Sequence, residues 1–63
     1  MSTGNRIRAK REALGMSRQE LAQMLGTTRM TVWRIENDRR PVRTNELPRF
    51  AAVLKTSVLN LVR

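Results

Sequence analysis

The 63-residue chain contains no cysteine and no histidine. The first absence excludes a disulfide framework and suits a reducing compartment, so a cytoplasmic setting is expected. The second removes the commonest general base and leaves a metal ion with carboxylates alone. Carboxylates are scarce as well, five Asp and Glu in all, with no pair at a spacing useful for catalysis. A chain this short also encloses no pocket, so neither enzyme activity nor a cofactor, metal or small-molecule ligand is expected. Long apolar runs are missing. Ala51-Ala52-Val53-Leu54 falls far below the length of a membrane span or the core of an export signal. No stretch alternates apolar and polar residues over a useful length, and no repeat, low-complexity tract or linker interrupts the chain. One domain, 1–63, without strands, is the reading that remains.

What the chain does have is positive charge. Thirteen Lys and Arg against five acids give a formal charge of +8, and eleven of the thirteen are Arg. The guanidinium presents a planar fork that matches phosphate and guanine edges, where lysine offers a point charge. A polyanionic partner follows, and nucleic acid is the commonest one. A basic membrane-active peptide is the competing class, but it needs broad apolar helix faces, and these segments have narrow ones. No membrane partner is expected.

Helix punctuation is dense. A first helix is predicted from about Thr3 to Leu14, with Ile7, Arg11 and Leu14 on one side and Gly15 as a left-handed stop. Ser17-Arg18-Gln19-Glu20 forms a capping box, and Met16 and Leu21 have the spacing of a hydrophobic staple. A second helix follows, about Arg18–Leu25, turning Leu21, Ala22 and Leu25 inward. Gly26 ends it, and Thr28 caps a third, about Arg29–Asn37, anchored by Val32 and Ile35. Asp38 to Asn45 is polar and basic, with Pro41 excluding helix, and reads as a loop. Leu47–Leu54 makes a fourth helix, with Pro48 tolerable in its first turn. Ser57 caps a short fifth that carries Val58, Leu61 and Val62. The fold class expected is all-α, a compact five-helix domain.

Two short helices joined by a tight glycine turn, about 18–37, have the arrangement of a helix-turn-helix. Core packing does not account for the far side of the third helix. Opposite Val32 and Ile35 lie Met30, Arg34 and Asn37, flanked by Arg29 and Trp33. A solvated face rarely carries a thioether and an indole beside two arginines. As a groove-reading face the set is coherent: arginine for guanine O6 and N7, methionine for a thymine methyl, tryptophan against sugar and phosphate. The alternative is that Trp33 and Met30 fold inward as core.

From Arg6 to Val62 the chain resembles the helix-turn-helix domain of lambdoid phage repressors and Cro proteins. The resemblance is carried by Lys10-Arg11, Leu14-Gly15, Glu20-Leu21-Ala22-Gln23, Gly26-Thr27-Thr28, Glu36-Asn37, and Leu54 with Ser57-Val58. It implies a five-helix fold and a transcriptional regulator, a repressor or Cro-like protein by kinship, that binds a palindromic operator in double-stranded DNA as a homodimer. By position it places Thr28, Arg29, Met30 and Arg34 against bases, and Trp33, on the same face, joins them as a candidate base-reading residue. It places Arg18, Asn37, Arg39, Arg40 and Arg43 against phosphate and pairs Arg11 with Glu36 in a structural ion pair; Arg11 and Thr31 are further candidate phosphate contacts. Leu59 becomes a candidate dimer contact. Relatives often read bases with glutamine; arginine at two of the reading positions here implies an operator containing guanine. Asp38 and Lys55 stand where glycine is common, both at expected turns. The rival within this fold is an antitoxin-like or other protein-interaction module.

Overall fold

The computed structural model describes residues 2–62. Five α-helices follow one another: α1 (Thr3–Ala13), α2 (Arg18–Leu25), α3 (Arg29–Glu36), α4 (Leu47–Val53) and α5 (Val58–Val62). The first three starts are set by a local signal. Ser2, Ser17 and Thr28 accept hydrogen bonds at their side-chain oxygens from the backbone N–H three residues on, satisfying otherwise orphaned donors. At α2 the capping box is complete, with the Glu20 carboxylate accepting from the Ser17 N–H at 2.8 Å. The sharp stop between α2 and α3 depends on Gly26, whose φ of 73° lies in the left-handed region that a side chain penalises. Its N–H and that of Thr27 return to the carbonyls of the last turn.

The core is a single cluster contributed by all five helices. Ile7, Leu21, Ala22, Leu25, Val32 and Ile35 form one half; Leu47, Phe50, Ala51, Leu54 and Leu61 form the other. Met16 packs against this cluster, which gives the staple its purpose. Two expectations need correction. Leu14 is 42 % exposed, because it is the C-cap of α1 and the chain turns away at Gly15. On α5 Val58 and Val62 are exposed and Leu61 is the buried anchor, since five residues make little more than one turn and turn one side inward. Helices α1, α3 and α4 each end one residue early, with Leu14, Asn37 and Leu54 as caps.

The consequence for function lies in how α3 is held. It packs against α1 and α2, so Val32, Ile35 and Glu36 are buried while its other side stays uncovered. The approach to α1 is close. A Cβ on Gly4 would fall 2.0 Å from the Ile35 carbonyl oxygen, a distance that only glycine permits.

Candidate nucleic-acid interface

Helix α3 presents its outer side without cover. Met30 is 53 % exposed and Trp33 40 %, while Arg29, Arg34 and Thr28 are exposed beside them. Neither the thioether nor the indole is core. Thr28 is fixed by its capping role: its hydroxyl oxygen accepts from the Thr31 N–H at 3.2 Å, and the two hydroxyls lie 3.1 Å apart. Thr31 is half-buried. Asn37 donates through Nδ2 to the Trp33 carbonyl at 2.9 Å, holding together the last turn, where carbonyls run short of partners.

A buried ion network fixes the angle at which this helix stands. The side chain of Glu36 is fully buried and accepts from Arg11 through Nε at 2.7 Å and Nη2 at 3.2 Å. Arg11 donates its third bond to the Met16 carbonyl. Arg18, the first residue of α2, donates through Nε to the same carboxylate at 2.9 Å. One carboxylate at the end of α3 thus ties α1 and α2 together. Buried charge is tolerated only when it is paired and hydrogen-bonded, and this one is. The family resemblance pairs Arg11 with Glu36; the third member, Arg18, is one that sequence reasoning missed, because nothing in its local pattern points to Glu36.

Most of the arginines fall into two sets. Arg8 pairs with Glu12, Arg11 and Arg18 with Glu36, and Arg40 with Glu46. Arg29, Arg34, Arg39 and Arg43 have no side-chain partner among the described residues, and all four lie on α3 or the loop after it. Two of the expected phosphate ligands therefore change character. Arg11 is buried with its donors turned to Glu36 and Met16, and Arg40 gives both Nη groups to Glu46 at 3.1 and 2.9 Å. Neither supplies uncompensated charge. Glu46, which sequence reasoning overlooked, organises the loop: it also accepts from the Arg43 N–H at 2.9 Å. The Arg40 fork and then the Arg43 amide hold its carboxyl below its ordinary 4.5, and the pairing raises Arg40.

Arg18 keeps its two Nη groups unused by the protein and opens onto a groove shared with Ser17, Gln19, Arg29, Met30 and Trp33. The start of α2 and the outer side of α3 therefore line one cleft. Leu59 is on α5 and 63 % exposed. Among the described residues no helix is long and apolar enough to cross a membrane.

Comparison with known proteins agrees with this architecture. The structure is similar to the P22 c2 repressor protein, solved in complex with synthetic operator 9T, with a TM-score of 0.91 and 24 % identity over 100 % of this chain and 96 % of that one. It is also similar to the restriction-modification controller protein C.AhdI from Aeromonas hydrophila. There the TM-score is 0.86 and the identity 30 %, over 94 % of this chain and 89 % of the other. The helix-turn-helix family model matches residues 7–61. Nearly the whole chain is thus accounted for by one family, and the protein belongs to the helix-turn-helix family.

Proposed function

We propose that this protein is a sequence-specific transcriptional regulator that inserts α3 into the major groove of double-stranded DNA. The observation that carries the reading is the division of the arginines. Those without carboxylate partners on α3 and its following loop flank an exposed thioether and indole, opposite a buried aliphatic side. An α-helix with its side chains is about 10–12 Å across, close to the width of the major groove. In this reading Thr28, Arg29, Met30, Trp33 and Arg34 face the bases. Arg39, Arg43, Asn37 and Thr31 meet the backbone on one side of the groove, and Arg18 meets it at the start of α2, where the helix end favours an anion. Arg11 and Arg40 act mainly by shaping the site. The similar P22 c2 repressor protein, solved together with a synthetic operator, supports the same partner.

Two copies are needed for a palindromic operator. The molecule measures 25 Å along its longest axis, and half-sites one helical turn apart lie about 34 Å from each other. Leu59, with Val58 and Val62 beside it, is the apolar surface proposed to join the copies. It is small, so pairing on DNA is expected to exceed pairing in solution.

The test compares Arg34→Ala with Arg43→Ala on a selected operator and on single-base variants of it. Arg34→Ala should relax preference at one base pair and cost on the order of 1–3 kcal/mol. Arg43→Ala should weaken every sequence alike and make the salt dependence shallower. If mobility shifts find the two variants indistinguishable, the division of roles is wrong.

A further inference from the structure

Resting on the reading of α3 as the groove-entering helix, we propose that Met30 detects the C5-methyl group of a pyrimidine beside the guanine read by Arg34. Binding then responds to cytosine methylation as well as to base identity. Met30 and Arg34 are four residues apart on α3, so their side chains are neighbours on one face. Arg34 has no partner within the described chain, and Met30 is 53 % exposed in the groove it shares with Arg29 and Trp33. Exposing a thioether to water has no structural benefit at this position, because Val32 and Ile35 already seat the helix.

The chemistry of the major groove restricts what such a side chain can select. Its edges offer acceptors at guanine and adenine N7, guanine O6 and thymine O4, donors at cytosine N4 and adenine N6, and one apolar projection, the methyl at C5. A thioether donates no hydrogen bond and accepts only weakly. The methyl is therefore the one feature it can favour. Four residues advance about 6 Å along the helix, and base pairs stack at about 3.4 Å, so the methyl lies within about two base pairs of the guanine. Thymine and 5-methylcytosine share that methyl. They differ at the 4-position, acceptor against donor, to which an apolar contact is indifferent.

The experiment starts from duplexes selected out of random sequence and measures Kd by fluorescence anisotropy at fixed salt. Each thymine of the half-site is replaced by uracil, and the position that responds is then rebuilt as cytosine or 5-methylcytosine paired with guanine. At one thymine within two base pairs of a guanine, losing the methyl should weaken binding roughly fourfold, the value of one buried methyl-sized group. The 5-methylcytosine duplex should bind roughly fourfold tighter than its unmethylated counterpart by the same contact. Met30→Ala, a change at an exposed site, should fold normally and lose both differences while still responding to 7-deazaguanine at the neighbouring guanine. A selected duplex bound equally well with and without every such methyl, or a methyl effect that survives in Met30→Ala, would overturn the inference and leave the function standing. Selection that returns no preferred duplex would overturn the function, and this inference with it.

Discussion

Asp38 and Lys55 hold left-handed backbone, with φ of 59° and 55°, at the turns that follow α3 and α4. The two are not equivalent. Asp tolerates this region, and Asp38 adds a contact: Ser2, the cap of α1, donates from Oγ to its Oδ2 at 3.0 Å. Lys55 is exposed, its side chain has no partner among the described residues, and its Cβ crowds the following carbonyl oxygen in that conformation. Lys55→Gly should therefore stabilise the fold by about 0.5–1 kcal/mol, the relief of strain less the added freedom of the unfolded chain. For a domain this small that raises the midpoint of thermal unfolding by roughly 2–8 °C, as followed by helical circular dichroism. Asp38→Gly should give no such gain, because it discards the Ser2 bond. A lower midpoint for Lys55→Gly would contradict the strain argument.

At the scale of elements, the seam between α1 and α3 decides how the reading face is presented. Gly4 abuts the Ile35 carbonyl, and Arg11 reaches across to Glu36. Gly4→Ala must push the helices apart and should cost about 1–3 kcal/mol, much of what a domain of this length possesses. Urea unfolding measures it, and an unchanged midpoint would mean the seam is softer than its geometry. The same seam marks what could be read from the chain beforehand. Helix starts and stops were legible, since Ser17, Glu20, Gly26 and Thr28 act within three residues of themselves. So was the outer side of α3, because Met30, Trp33 and Arg34 break the rule for a solvated face. Gly4 carried no local signal, being one small residue in a helix start. Phe50 lay in an apolar run whose inward side depends on the neighbours of α4. The bonds from Arg18 to Glu36 and from Arg40 to Glu46 join residues 18 and 6 positions apart, and only the assembled chain selects them from eleven arginines.

Over the whole molecule the few acids and many arginines have separate tasks. Glu12, Glu36 and Glu46 pair with arginines, Glu20 closes the α2 cap and Asp38 receives Ser2, so all five carboxylates work inside the fold. The excess positive charge around α3 is left for a partner. This makes the fold sensitive to acid alone. The chain lacks histidine, the one side chain whose ordinary pKa falls between about pH 5 and 8, and stability should be level there. Glu20 is held below its ordinary 4.5 by the Ser17 amide and hydroxyl, and Glu46 by Arg40 and the Arg43 amide. A carboxyl depressed in the folded state contributes stability above its unfolded value, and that contribution fades as pH falls through the folded value. The midpoint of thermal unfolding should thus decline below about pH 4.5, and self-repulsion steepens the decline as protons are taken up. Glu46→Gln isolates one share. At about pH 7 it removes the ion pair and should unfold at a lower temperature than the parent. Once pH has fallen through the folded value of Glu46, the parent's own carboxyl is protonated as well, a group as neutral as glutamine, so the two curves should converge. A gap of constant size across that range would mean that Glu46 supports the loop by its shape and uncharged hydrogen bonds, with its charge contributing nothing.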